Sequence, residues 1–439
     1  MAIPFWQIMS HMPGVDHDAA VARTRRAKLM VVARRDDADA STALTVEFVD
    51  FSGAEASRDE WTALIDRALE PNIFMEPAFV LSAAQHLAEA QRPLFAMVRE
   101  EQADDAGRLL AVWPLATQGA LAGDFVRGWR SPYAVLGSPL IDRFRAADVV
   151  EAVLQALTKR FGPRAMLLVP QLRRTGPTHS LLVSRAMASG RVWAPLSPHA
   201  RAVLRTGDGA EGALHRAQSG RSLARNRRRL EKLGTVEYRI AETPDDVREA
   251  AERFLALEER GWKGRRRTAL LSHARTSTFA RTMLRTFAQT GQCRIDSLEL
   301  DGRPIAMVVI LTGQRRAYCW KIAFDETLAL YSPGVQLMIE VTRRQLADPE
   351  ILHTDSCATA GDPMVERLWA DRQDMVDLAI AAKPGSAAQS ALGRERLRRR
   401  LRELAKRVVH TLRTSSRPAP ASQATPALRA TPGAPISER

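Results

Sequence analysis

The residues best placed for chemistry lie between Gln292 and Leu337. Two alternating apolar runs joined by Asp301-Gly302 are followed by a third run ending in Asp325, then by Tyr331-Ser332-Pro333-Gly334 opening a helix. That order brings a helix N-terminus beside a strand end. Unpaired backbone N–H groups and the positive end of the helix dipole make such a terminus a seat for phosphate, as on a nucleotide or coenzyme tail. Ser332 can cap the helix, Pro333 suits its first position and Gly334 permits close backbone approach, so Ser332, Pro333, Gly334, Val335 and Gln336 are the candidates for holding that anion. A well-capped helix start with no ligand would show the same residues.

Lys321 stands on the third run among Tyr318, Trp320 and Ile322. That company partly desolvates an ammonium and suits electrostatic catalysis, while a lysine snorkelling at a sheet edge gives the same pattern. Strand alternation groups Lys321 with Cys319 and Ala323 on one face. Further back, Arg221 to Lys232 carries Arg225, Arg227, Arg228 and Arg229, whose forks would suit a carboxylate or phosphate or else form a solvated face. The run His353-Thr354-Asp355-Ser356-Cys357 offers histidine, acid and thiol, but a strand sends neighbours to opposite faces, so it reads as a buried strand. The nine histidines show no paired metal spacing. Cys293, Cys319 and Cys357 give neither a disulfide framework nor a metal knuckle and are expected to be small buried apolar groups.

The elements that must position these residues follow from the breakers. At 439 residues and 45% hydrophobic content the chain is long enough for two domains with tails. The expected division is a loose extension over 1–42, a first domain over 43–205, a second over 206–385, a basic amphipathic helix over 386–414 and a disordered tail over 415–439. In the first domain 44–49 reads as a strand, 57–69 as a helix with a Ser57–Glu60 capping box, 93–99 and 109–116 as a hairpin, and 146–160 as a helix. In the second, 236–240 is a strand and Thr243 caps a helix through Arg260. A helix over 272–289 and a hairpin across Asp301-Gly302 follow. Then come a strand over 318–324, a helix over 333–346, a strand over 351–355, a short helix over 363–369 and a last strand over 375–380. The fold class is α+β, two related domains in tandem.

The net charge of +14 is mostly local: ten basic residues between Arg394 and Arg417 stand against Glu395 and Glu403, leaving about +6 for the rest. The helix over 394–413 sets Leu397, Leu401, Leu404, Val408 and Leu412 in one stripe. It would lie on anionic lipid or pack on the domain before it. No run of eighteen apolar residues and no secretory h-region are present, so the expected place is the cytoplasm, with peripheral contact at the inner membrane face through that helix.

The second domain's order of strand, two helices, three-strand meander, helix, strand, helix, strand resembles the GNAT acyltransferase fold. Four segments resemble one branch: Arg221 to Leu230, Leu257-Glu258-Glu259-Arg260-Gly261-Trp262-Lys263-Gly264, Leu300 to Ala306, and Tyr331 to Leu337. Together they are similar to the BioF2-like, or CelD-like, acetyltransferases of exopolysaccharide and cellulose loci, themselves similar to the FemAB aminoacyltransferases built from tandem GNAT-like domains. The segment Asn72 to Pro77 resembles the N-terminal half of that family. The resemblance implies tandem GNAT-like domains, each a mixed, mainly antiparallel sheet flanked by helices. It implies acetyl-coenzyme A or another acyl-coenzyme A as co-substrate, no metal, and direct transfer to an amine or hydroxyl.

In the GNAT pyrophosphate loop, Gln/Arg-x-x-Gly-x-Gly/Ala, the last glycine falls on Gly334, the first on Ser332 and the Gln/Arg on Ala329, so two of three positions depart. The strand carrying Tyr318, Trp320 and Ile322 would bind the donor and polarise its carbonyl. Asp325, Asp355 and Asp362 are the acids at strand ends, Asp325 and Asp355 the candidate bases and Asp362 an acceptor contact. Tyr331, or Tyr318, would protonate the leaving thiolate, and Lys321 would stabilise developing charge as a positive group does in the related aminoacyltransferases. Arg225, Trp262 and Lys263 would meet the acceptor.

Three functions are consistent with these residues: an acyl-coenzyme A dependent N- or O-acyltransferase on a cell-envelope or exopolysaccharide sugar or amino sugar, a FemAB-type enzyme using aminoacyl-tRNA, and a non-catalytic RNA-binding module. The second expects an inserted helical arm, of which there is no sign. The third expects aromatics among the basic residues, yet Arg394 to Arg417 holds no Phe, Tyr or Trp. The first is therefore favoured, with nucleic acid not expected as a partner.

Overall fold

The computed structural model describes residues 27–31, 43–87, 92–101, 107–116, 125–207, 212, 215, 221–385 and 387–415. The remainder of the expected N-terminal extension and the tail after Ser415 lie outside the described residues. Two element strings of similar order succeed one another. The first is β1 (Ala27–Val31), β2 (Leu44–Val49), α1 (Phe51–Ala56), α2 (Arg58–Ile65), α3 (Pro77–His86), β3 (Pro93–Glu100), β4 (Leu109–Ala116), β5 (Phe125–Arg127), β6 (Leu140–Ile141), α4 (Ala146–Phe161), β7 (Met166–Arg173), α5 (Pro177–Ala188) and β8 (Trp193–Arg205). The second is α6 (Arg221–Glu231), β9 (Val236–Ala241), α7 (Pro244–Arg260), α8 (Trp262–Arg265), α9 (Ala274–Gln289), β10 (Cys293–Leu300), β11 (Arg303–Gly313), β12 (Arg316–Phe324), α10 (Pro333–Ala347), β13 (His353–Asp355), α11 (Pro363–Leu368) and β14 (Asp371–Ala381), followed by α12 (Ala387–Ser415). From Arg394 onward α12 is a unit of its own.

Mixed, mainly antiparallel sheets flanked by helices result, as expected. One sheet has the order β1-β2-β3-β4-β6 and the other β5-β7-β14-β8-β13-β12-β11-β10-β9. The last strands of the two strings change places: β14 lies between β7 and β8, and β8 lies against β13. One hydrogen-bonded sheet therefore runs through both halves. On one face of β10–β12 pack α7 and α9, through Phe254, Phe279, Met283 and Phe287 against Met307, Val309, Tyr318 and Trp320. On the other packs α10, through Leu337, Met338 and Val341 against Val308, Ile310 and Cys319.

Local chemistry accounts for the boundaries. Asp301 and Gly302 have φ of 49° and 76°, the two left-handed positions of a tight hairpin turn. Thr243 accepts the N–H of Asp246 at 3.2 Å and donates its hydroxyl to that carboxylate at 2.6 Å, a reciprocal cap. The expected Ser57–Glu60 box does not form. Asp50 caps α1 by accepting from the N–H of Gly53, the chain breaks at Ser57, and Glu60 pairs with Arg99 instead, because a guanidinium from β3 competes for its carboxylate. Elsewhere strands lengthen beyond the sequence reading, β12 starting at Arg316 and β14 spanning Asp371–Ala381, since sheet neighbours extend them; β13 is shorter, beginning at His353. Asn72 accepts the N–H of Phe74 and donates to the Ser138 carbonyl at 2.7 Å, holding Phe74 with its ring edge-on to Tyr318 at 5.3 Å.

Candidate active site

β12 pairs with β13 at three positions only, Arg316 with His353, Ala317 with Thr354 and Tyr318 with Asp355. β13 then ends, while β12 continues beside β11 to Phe324. From Cys319 onward β12 thus presents an edge with no described strand beside it, where the Ile322 carbonyl is taken by Lys263. At the far end Asp325 accepts the N–H and hydroxyl of Thr327 at 3.0 and 2.6 Å and pairs with Arg303. Burial alone would raise its carboxyl, but these donors hold it below the usual range.

A turn over 326–331 leads to Ser332, whose φ of 53° is left-handed. Its hydroxyl does not cap α10, contrary to expectation: the left-handed backbone carries the side chain away, and no described group accepts from the N–H of Gly334 or Val335. Gln336 ties the turn down, its Nε2 donating to the Tyr331 carbonyl at 2.7 Å, and leaves a buried Oε1 without a partner. A β-carbon added at Gly334 would lie 3.3 Å from Phe324 Cδ1 and 3.5 Å from Met364 Sδ, so strand end, helix start and α11 meet here. Asp362 caps α11, accepting the N–H of Met364 at 3.0 Å. From α6, the Arg229 guanidinium lies 5.4 Å from the Tyr331 ring centre; Arg225, one turn earlier, is exposed. Free helix N–H groups beside an arginine fit an anionic tail.

Lys321 departs from the expected alternation. Val309 pairs with Lys321 but Ile310 pairs with Cys319, so β12 holds one extra residue, Trp320. This bulge turns Trp320 and Lys321 to the α7/α9 side and leaves Cys319 on the α10 side. The half-buried Lys321 ammonium lies 5.1 Å from the ring centre of Tyr133 and 5.9 Å from that of Trp320. Burial pushes it down to about 8, Glu258 opposing and Lys263 reinforcing the shift. Glu258 is buried, its Oε1 accepting from Lys263 Nζ at 2.7 Å and its Oε2 from the Leu270 N–H at 2.8 Å. Burial would raise this carboxyl, and Lys263, Lys321 and that N–H hold it low.

Lys263 Nζ also donates to the Ile322 carbonyl at 3.0 Å, joining the helix corner to β12. Trp262 sits beneath the Arg266 guanidinium, and its N–H donates to Glu326. A β-carbon at Gly264 would fall 1.7 Å from the Glu259 carbonyl, so only glycine fits that corner. Sequence reasoning missed Glu258 and Tyr133. The five-residue spacing from Glu258 to Lys263 could have found the first, while nothing in the sequence ties Tyr133 to β12.

Asp355 stands apart. It is fully buried, with Oδ2 accepting from Arg201 at 2.7 and 3.2 Å and Oδ1 from the Cys357 N–H at 2.9 Å. Burial would raise this carboxyl too, yet Arg201 and the N–H depress it. The Tyr318 hydroxyl accepts from Arg173 Nη2 at 3.0 Å, and burial pushes it up despite Arg173 and Arg316. Cys293 and Cys319 are buried, but Cys357 is only half-buried, because β13 has ended before it. Among the described residues no three His, Cys, Asp or Glu side chains gather as a metal site.

The structure therefore joins Trp320, Lys321 and Lys263 around Glu258, with Lys263 also on the Ile322 carbonyl, while Trp262 meets Glu326 beside Asp325 and Tyr331 is tied to Gln336 at the start of α10. Residues 217–362 match the family model described as Acetyltransferase (GNAT) domain. No curated protein matches the chain. Among solved structures, FemX is similar at 8% identity over 73% of this chain and 95% of that one, with a TM-score of 0.49. The C-terminal domain of a putative lysylphosphatidylglycerol synthetase from Agrobacterium fabrum is similar at 13% over 77% and 95%, TM-score 0.46. A tandem GNAT protein from the clavulanic acid biosynthesis pathway is similar at 17% over 78% and 100%, TM-score 0.39. An acetyltransferase (GNAT) domain thus occupies residues 217–362, and the chain is an acyltransferase.

Proposed function

We propose that the chain transfers an acyl group from an acyl-coenzyme A to the nitrogen or oxygen of a sugar or amino-sugar acceptor of the cell envelope or an exopolysaccharide. The bulge that turns Lys321 to the α7/α9 side, within the stretch of β12 that has no β13 partner, is the observation that supports this most. A thioester supplies an activated carbonyl with a thiolate leaving group. The N–H groups of Gly334 and Val335 and the Arg229 guanidinium would hold its anionic tail. Lys321, protonated below about 8, would offset charge developing on the carbonyl oxygen, and Glu258 with Lys263 would hold that charge in place. Asp325, whose oxygens hold Thr327 and Arg303 but which is less buried than Asp355, and Tyr331 are the candidate groups for the acceptor proton and the thiolate. Asp355, with both oxygens engaged, would act by positioning β12 against β13.

The segments around Arg225, Trp262, Ala306 and Gly334 support the BioF2-like, CelD-like branch and hence the envelope acceptor. Leu397, Leu401 and Leu404 of α12 are exposed, which supports peripheral contact with anionic lipid at the inner membrane face. No described helix is long and apolar enough to cross a membrane. Calorimetric titration with acetyl-coenzyme A and, separately, with charged tRNA tests the donor. Saturable coenzyme binding with turnover lost in Lys321→Met is expected. Salt-sensitive tRNA binding alone would replace this reading with the aminoacyl-tRNA one.

A further inference from the structure

One polar cluster, running from the buried interior to the surface, takes no part in that chemistry. At the start of β12 the register sets Arg316 beside His353, and His353 beside Arg205 of β8, three basic side chains in one row on one sheet face. The next row on that face is Tyr318, Asp355 and Val203. Arg201 reaches Asp355, while Arg173 reaches the Tyr318 hydroxyl and, at 2.8 Å, Glu70 Oε1. Glu70 Oε2 in turn accepts the N–H of Thr178 at the start of α5 at 3.2 Å.

Four guanidiniums thus face two carboxylates, and both carboxylates are engaged, Glu70 with Arg173 and Asp355 with Arg201. Arg205, which is exposed, and Arg316, which is half-buried, form no ion pair with described residues. His353 is 9% exposed and neither ring nitrogen has a partner; Arg173 Nε and Thr178 Oγ1 are buried and unpartnered as well. Buried polar groups are normally paired, so four unpaired atoms beside excess positive charge suit an anionic, multiply accepting ligand.

We propose that the Arg205–His353–Arg316 row binds a phosphate-type oxyanion, as inorganic phosphate or a phosphate monoester. Two uncompensated guanidiniums with an imidazole between them match a divalent, multiply accepting anion better than a carboxylate. The row lies about 16 Å along β12 from Lys321, at about 3.3 Å per residue, so it is separate from the thioester site.

Calorimetry and thermal denaturation of the full chain test it, with inorganic phosphate, glycerol 3-phosphate and, as control, acetate. Saturable binding of phosphate or its ester is expected, weakened about tenfold or more in Arg316→Gln and in His353→Gln. Without phosphate, Arg316→Gln is expected to melt at or above the wild-type temperature, because it removes an unpartnered half-buried charge; with phosphate only the wild type should gain. Val335→Glu, at the coenzyme site, should leave this binding intact. The proposal fails if neither phosphate compound binds, if acetate binds as tightly, if Arg316→Gln and His353→Gln bind like wild type, or if only Val335→Glu abolishes binding.

Discussion

The two halves share an order of elements and differ most where each sends a strand into a helix. In the first half β6 is only Leu140–Ile141, and β7 takes its parallel partner from β5. Ahead of α4 Asp142 accepts the Phe144 N–H at 3.0 Å, and Arg145 at the cap position is ion-paired to Asp148 and Glu100, although its side chain does not cap the helix. In the second half β12 runs on past the end of β13, a bulge turns a half-buried lysine to the α7/α9 side, and α10, also without a side-chain cap, has the left-handed Ser332 and no ion-paired arginine at that position. One scaffold can thus carry an ion-paired arginine at its helix start or leave that position without one, and the second arrangement is the one that suits an anionic substrate. The first half serves the second by supplying Tyr133, Phe74, Arg173 and Arg201 to its edge.

The largest expected effect is at the seam where the halves exchange strands. Asp355→Asn leaves Arg201 buried without its counter-charge, and stability should fall by about 3–5 kcal/mol in denaturant melts. The kcat of the folded fraction should change little; a collapse of kcat at unchanged stability would make Asp355 a base after all.

Lys321 has no counterpart on the two-residue β6. Lys321→Met should lower kcat/KM by about 10²–10³-fold, the scale of losing one charge-stabilising donor. Since Lys321 must be charged to act, wild-type activity should fall as pH rises through about 8, and Lys321→Arg should move that limb upward. An activity that instead rises through that pH would make Lys321 a general base.

Glu76 couples the halves through Gln292, whose Nε2 donates to it at 3.0 Å. Burial raises its carboxyl from 4.5 to about 7, against the Gln292 bond and with help from Asp66. The folded protein therefore holds a proton there that the unfolded chain has lost. This contribution to stability is complete below 4.5 and declines until pH passes about 7, by up to about 3 kcal/mol at 1.36 per unit. Glu76→Gln should flatten that slope and melt above wild type at pH 8; a parallel slope in both proteins would remove Glu76 from the account.

The smallest effect tests the helix starts. Val335→Glu places a carboxylate where a helix favours it yet where a diphosphate would sit, so coenzyme binding should weaken about tenfold with little change in melting. Ala147→Glu on α4 should leave binding alone. Equal loss in both would erase the distinction between the halves.

Much of the second half was legible because its signals are local. Asp301-Gly302 dictates its turn and Thr243 its cap from residues three apart or fewer, and Pro333 marks the first position of α10. The Ser57 box failed because Arg99, far off in sequence, took Glu60. Ser332 failed because a left-handed backbone directs its hydroxyl away. Lys321, read as partly desolvated among aromatics, is half-buried there and shares a face with Ala323 as expected but not with Cys319, since a bulge depends on the partner strand's register.

Composition, the spacing of breakers and the apolar periods alone determined an α+β chain with mixed sheets, the helix start at Pro333 and the partly desolvated lysine. Local propensities and burial act through near neighbours, which a sequence displays. Only the tertiary structure decided the exchange of β8 and β14, the face of Lys321, the locking of Asp355 by Arg201 and the basic row at His353. Each of these pairs residues more than a hundred positions apart or hangs on strand register, and the energies involved exist only once the partners share a low-dielectric interior.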